Sequence, residues 1–188
     1  MNHREPSLPG DFAIWIFIFA ELTTFGLLFL TYAFARAYHV EMFNTGQASL
    51  VKSYGALNTL ILITSSYFVV QGVNALKEDL TRQGVRWLAW AWMMGALFVA
   101  IKLMEYHEKL SAGLGLDTNL FFMFYFFMTF FHFMHVLLGM IILAALLLKA
   151  RRGGYGAHNY IGLESGASYW HMVDLVWIIL FPLVYVMH

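Results

Sequence analysis

The 188 residues read as an all-α integral membrane protein, a bundle of five transmembrane helices, and three observations lead there. Hydrophobic residues make up 61% of the chain against 12% charged, with a mean hydropathy of +0.67, which leaves too little polar surface to coat a soluble globule. Five apolar stretches are each long enough to cross the hydrocarbon core of a bilayer as a helix. The connections between them are short, polar and marked by glycines (Gly46, Gly84, Gly113, Gly115, Gly153, Gly154, Gly156), so no linker separates folded units and residues 1–188 are expected to form one domain.

The first span covers about residues 12–36, and its interior carries an acid, Glu21. The polar residues before it, with Pro6, Pro9 and Gly10, lack the short apolar core and small-residue cleavage site of a signal peptide, so this span is expected to stay in the mature protein. The second span, about 56–76, carries the small residues Thr64, Ser65 and Ser66, and the third, about 85–104, carries Gly95 and Ala96. Both sets allow close helix approach. The fourth, about 120–148, is the longest and must tilt or project. Its aromatic stripe from Phe121 to Phe133 reads as a surface for lipid or helix packing, large enough to bury against a partner subunit. The fifth, about 169–187, contains Pro182, whose freed carbonyl neighbouring helices can satisfy.

Orientation follows from the basic residues. Arg4, Lys77, Arg82, Arg86, Lys149, Arg151 and Arg152 fall on one side, and Arg36, Lys52, Lys102 and Lys109 fall on the other, which predicts a cytoplasmic N-terminus and places His188 outside. Trp15, Trp87, Trp90, Trp92, Trp170 and Trp177 are expected mostly at span ends, as interfacial anchors. A net charge of zero with no basic block argues against nucleic acid as a partner. The absence of cysteine excludes disulfides, thiolate metal ligation, thiol catalysis and the paired-cysteine attachment of haem.

Function must therefore be sought in the scarce polar groups at membrane depth. A carboxyl inside a span costs a few kcal/mol on insertion scales, so Glu21 reads as functional by default and is expected to face protein. It is read either as a neutral acid hydrogen-bonded to a neighbouring carbonyl or as a group that exchanges protons or contacts lipid. Thr23 and Thr24 beside it are expected to bond back to their own helix. His132 and His135, three apart on the fourth span, are expected on roughly one face, and His171 and Asp174 repeat that spacing at the start of the fifth. Glu105 and His107 close the third span beside Tyr106, and Glu164 precedes the fifth. These groups serve to fix helix contacts by hydrogen bonds, to converge on a metal, since imidazole with carboxylate suits zinc or non-haem iron, or to conduct protons or contact a ligand.

Several stretches occur in a particular order. They are Phe17–Glu21 in the first span, Leu57-Asn58-Thr59 in the second and Glu105-Tyr106 at the end of the third. Phe131–Gly139 follows in the fourth, and then His158–Gly162, Glu164–Ala167 and Tyr169–Trp177. In this order the chain resembles subunit III of the haem-copper oxidase superfamily across nearly its whole length. The resemblance implies a five-helix bundle of the cytochrome c oxidase subunit III type, without catalytic residues, haem or metal of its own. Such a chain sits beside a large haem-bearing catalytic subunit and serves as an accessory subunit in respiratory electron transport. It implies that Glu21 supports proton uptake and that Glu105, His132, His135, Glu164, His171 and Asp174 shape helix contacts and sites for membrane phospholipid.

Many family members carry two further spans ahead of these five, with a lipid cleft between the groups. Their absence here would leave such a site to be completed by another subunit. Phe133 replaces the small residue usual between the paired histidines, which puts close packing there in question. The short form, the opening Pro9-Gly10-Asp11-Phe12 and the run from Leu62 to Tyr67 look most like the stand-alone proteins associated with nitric oxide reductase, with cytochrome c and quinol oxidase subunits as near alternatives. The expected location is the cytoplasmic membrane of a bacterium. Two other classes remain in view: a self-contained metalloenzyme using Glu105, His132, His135, His171 and Asp174, and a small transporter or channel, for which neither an inverted repeat nor a broken helix is visible.

Overall fold

The structure, a computed structural model, describes residues 10–187, so Arg4, Pro6, Pro9 and His188 lie outside the described residues. Five helices have the length and hydropathy to cross a membrane: α1 (Phe12–Tyr38), α3 (Lys52–Lys77), α4 (Thr81–Ser111), α5 (Leu120–Arg151) and α6, whose α-helical part is Ile161–Phe181. A short helix, α2 (Val40–Ala48), lies between the first two spans, and a single π-helical turn, Pro182–Val186, extends α6.

Helix ends follow local chemistry. Asp11 caps α1 by accepting from the Ala13 N–H at 3.3 Å, and Asn119 caps α5 by accepting from the Phe122 N–H at 3.0 Å. At the C-terminus of α5 the chain turns at Gly153, with φ of +71°, while the Gly154 N–H returns to the Lys149 carbonyl at 3.0 Å. Two sequence-based boundaries move furthest. Glu105, Tyr106 and His107 lie inside α4, which continues to Ser111, and Glu164 lies in the first turn of α6 instead of ahead of it. A hydropathy window closes a span where polar residues begin, yet a helix continues wherever backbone bonds and packing support it. The same blindness hid α2, whose length and polarity fall below any membrane threshold although it buries Phe43, Gly46 and Gln47.

Helices α3, α4, α5 and α6 make a closely packed core, with α3 against α4 the tightest pair. Close approach needs small residues: Ser65 donates to the Ala91 carbonyl across that pair at 2.8 Å. Trp170 and Trp177 are fully buried in α6, so these two are core residues and not interfacial anchors. Trp170 lies over Gly139 of α5, where an added Cβ would come within 2.8 Å of the indole. The Phe stripe divides as helical geometry requires, with Phe121, Phe122, Phe126 and Phe133 buried and Phe127 and Phe130 exposed. Phe133 packs edge-on to Tyr106 of α4, so the large side chain between the histidines is accommodated.

Helix α1 is attached differently. Its buried residues are Ile18, Phe25 and Tyr32, spaced by seven, so it touches the core along one narrow seam and turns the rest of its surface outward. At its far end Arg36 donates to Asn44 of α2 at 3.1 Å and to the carbonyl of Met187, while Gln47 donates to the Leu183 and Val184 carbonyls at 3.1 Å. The end carbonyls of the last turn, at Leu183 and Val184, are thus satisfied by α2, the helix that hydropathy overlooks.

Gly139→Val should lower stability by roughly 1–3 kcal/mol through overpacking against Trp170. Gly115→Ala, with nothing near its Cβ, should leave the melting temperature unchanged. A thermal unfolding series in detergent checks both.

Candidate functional site

Glu21 sits nine residues into α1, about 14 Å along the helix axis, and meets His135 of α5. The Glu21 Oε2 lies 3.0 Å from His135 Nε2, and His135 Nδ1 lies 2.8 Å from the Phe131 carbonyl oxygen. A carbonyl can only accept, so hydrogen bonding assigns a proton to Nδ1. The contact on the other side of the ring then holds one further proton, either as a neutral acid donating to a neutral imidazole or as a carboxylate accepting from an imidazolium. Phe25 and Phe131 fix the ring edge-on, with centroids 5.2 and 4.7 Å away. Tyr169 donates to the His135 carbonyl at 3.3 Å. The Glu21 side chain keeps 20% of its surface exposed, so the pair can reach a group outside the bundle. Its partner is an imidazole where a carbonyl was one expectation, and Thr23 and Thr24 bond back to Phe19 and Ala20 as expected.

Three helical residues rotate about 300°, so His132 lies about 60° round α5 from His135, on roughly the same face as expected, and Phe25 of α1 packs edge-on to both rings. His132 is nonetheless turned into the core: it is fully buried among rings, 5.2 Å from Trp177 and edge-on to Phe98 at 6.0 Å, and among the described residues neither nitrogen has a hydrogen-bond partner.

The two other expected groups lie between α3 and α6. Asp174 accepts from Ser66 of α3 and lies 3.6 Å from His171 Nδ1. Ser66 is therefore a hydrogen-bond donor to a carboxyl as well as a small packing residue. Nearer the helix ends Lys77 pairs with Glu164, which also accepts from the Gly10 N–H at 3.0 Å and so ties the start of α1 to α6.

Glu105 belongs to a cluster that sequence reasoning missed. Lys102, three residues earlier on α4, places its ammonium 3.0 Å from Glu105, and neither side chain has any exposed surface. Lys102 also donates to the Tyr185 hydroxyl at 2.7 Å, while Tyr125 and Tyr185 donate to Glu105 at 2.8 and 2.7 Å. The rings of Tyr106, Tyr125, Trp177 and Tyr185 surround the ammonium at 5.0–5.4 Å. Counting Lys102 as an outer loop charge was therefore an error, and that side keeps Arg36, Lys52 and Lys109. A lysine two residues inside the predicted third span, at i,i+3 from an acid, carried the signal.

The candidate residues thus separate into four places. Among the described residues no three His, Cys, Asp or Glu side chains gather as a metal site would require. The set proposed for a metalloenzyme is dispersed: Glu105 is engaged by Lys102, His135 by Glu21, Asp174 by Ser66, and His132 by aromatic rings.

A family profile for cytochrome c oxidase subunit III matches residues 10–188. The chain belongs to the cytochrome c oxidase subunit III family. It is 36% identical to a cytochrome c oxidase subunit 3 of Thermostichus vulcanus, with 98% of this chain and 90% of the relative aligned. It is 32% identical to a cytochrome c oxidase subunit 3 of Synechocystis, over 99% of this chain and 78% of that protein. A haem-copper oxidase subunit I+III of Aeropyrum pernix is 32% identical over 92% of this chain, which matches 22% of that protein. The five apolar helices and this family make the chain a multi-pass membrane protein.

Lys102→Met should destabilise the protein by about 3–5 kcal/mol, because Glu105 would remain buried without its countercharge. Lys102→Met combined with Glu105→Gln should recover most of that loss. Reversible unfolding followed by tryptophan fluorescence measures both, and equal losses in the single and double variants would contradict the pairing.

Proposed function

We propose that this chain is a non-catalytic accessory subunit of a haem-copper respiratory complex. Docked on a large haem-bearing catalytic subunit in a bacterial cytoplasmic membrane, it supports assembly, stability, lipid binding and proton uptake. The observation that carries this reading is the family match over residues 10–188, and the subunit I+III relative supports a direct partnership with the catalytic subunit. The relatives' names favour an oxygen reductase, while the opening residues 9–12 and the run from Leu62 to Tyr67 keep a nitric oxide reductase complex as the second reading.

Within that role Glu21 and His135 are the proposed proton-handling pair. They share one mobile proton, sit partly exposed on the seam of α1, and could pass it to an acceptor on a neighbouring subunit. Glu105, His132, His171, Asp174 and Glu164 act by holding helices in register beside membrane phospholipid. The N-terminus is cytoplasmic and the C-terminus outside, and the clustering of Lys77, Arg82, Arg86, Lys149, Arg151 and Arg152 at one end of the bundle supports this.

Gentle purification from native membranes should bring down a haem-bearing large subunit whose spectrum, and its response to oxygen or nitric oxide, names the complex. Recovery of the chain without haem would overturn the accessory role. Glu21→Gln keeps a hydrogen bond to His135 but abolishes proton exchange. It should leave assembly intact while lowering turnover and hastening inactivation over repeated cycles, and unchanged behaviour on both counts would remove the proton role.

A further inference from the structure

Helices α3 and α6 leave a hollow of about 200 Å³ on the outside of the bundle. Lys77 and Glu164 stand at its mouth, by the helix ends, and Val70, Asn74, Ser168 and His171 line it further in. His171 lies seven residues beyond Glu164 and Val70 seven before Lys77, so the hollow follows both helices for about 10 Å from the headgroup level into the hydrocarbon.

Its polar groups are unsuited to a lipid-facing surface. The His171 side chain keeps 38% of its surface exposed, and its Nδ1 lies 3.6 Å from the Asp174 carboxyl, which leaves Nε2 for the hollow. A carboxylate beside Nδ1 favours the ring proton there, so Nε2 of the neutral imidazole is an acceptor. Asn74 is exposed, and among the described residues neither its amide nor the Ser168 hydroxyl has a hydrogen-bond partner. An acyl chain offers these groups nothing, and ionisable side chains inside a span face protein or water. A phosphate finds no free cation in the hollow, because Lys77 is held by Glu164. A neighbouring transmembrane helix with hydroxyl or amide side chains satisfies all three groups, since such side chains both donate and accept.

We infer that the α3–α6 hollow is the docking face for the catalytic subunit, filled by a transmembrane helix of that partner whose hydroxyl or amide side chain donates to His171 and meets Asn74 and Ser168. This rests on the accessory role and gives it a face and a chemistry. His171 then serves twice, holding register through Nδ1 and the partner through Nε2. The broad apolar face of α1 needs no such partner, because lipid alone satisfies it.

Photo-crosslinking in native membranes tests the face. A photoreactive residue at Val70, which lines the hollow, should capture the haem-bearing subunit, and one at Leu97, exposed on α4, should not. Co-expression of wild type and variant under different tags, followed by isolation of the haem-containing fraction, measures the preference of the partner. Asn74→Leu suits a lipid surface better than the wild type and removes no side-chain bond within the chain, so the melting temperature of the chain alone should hold. In the complex the wild type should nevertheless be favoured about threefold, the ratio that corresponds to ~0.6 kcal/mol for one interhelical hydrogen bond. His171→Phe should be outcompeted by a similar factor, and His171→Gln, which keeps an acceptor, should recover most of it.

Labelling of lipid alone from Val70, capture of a second copy of this chain there, or equal capture from Val70 and Leu97 overturns the docking face and leaves the accessory role standing. So does equal incorporation of wild type, Asn74→Leu and His171→Phe. Recovery of the chain without any haem-bearing subunit ends the accessory role and the docking face together.

Discussion

A bilayer offers no water, so a charge that enters it must find its partner within the protein, and this requirement organises the bundle. Glu21 meets His135, Lys102 meets Glu105, and Asp174 meets Ser66 and His171. Glu21–His135 and Ser66–Asp174 each join two helices far apart in sequence, whereas His171–Asp174 and Lys102–Glu105 lie within one helix, and the last recruits Tyr125 and Tyr185 from α5 and from the end of α6. Apolar packing alone could not specify which faces meet, since lipid tails are as apolar as leucine side chains. The few polar contacts supply that information.

These pairings give the two parts of the bundle different characters. In the four-helix core the Lys102 cluster is sealed on all sides, fills the space between α4, α5 and the π-turn, and lends the last turn of the chain a fixed position that Gln47 and Arg36 reinforce from outside. Along α1 the contact narrows to a heptad seam, and the Glu21–His135 bond is its polar fastener at membrane depth. A helix held along one stripe leaves a broad apolar surface, including Ile16, Phe19, Leu27 and Phe34, open to lipid or another subunit.

Much of this was legible in the residues, and what was not has physical causes. Spans and the acid at Glu21 stand out because a charge inside an apolar run is rare. Lys102 escaped because a lysine near a span end is ordinarily a loop charge, and only the inward turn of α4 reveals otherwise. The spacing of His132 and His135 places them about 60° apart, but which of the two reaches Glu21 depends on where α1 crosses α5, a tertiary fact absent from the periodicity. Trp170 and Trp177 look like anchors by composition and are core by position, because Gly139 and Thr59 leave room and a hydrogen-bond acceptor for their indoles. Helix α2 carries no membrane signal at all, and its role appears only once Gln47 is seen to satisfy the carbonyls beyond Pro182.

The difference in burial between the two acid–base pairs decides what each can do. A proton arriving at Glu105 would strand the Lys102 charge among rings with no route to water, so the low-dielectric surroundings that strengthen the pair also lock it. At Glu21 the same surroundings are breached on one side. In the proposed proton role, a proton shared between two atoms 3.0 Å apart has a path too short to strand a charge, and the one-fifth exposure of the Glu21 side chain opens it to the outside of the bundle. Glu21 suits that role because α1 is the loosely attached helix, and a tighter seam would turn it into a second Glu105.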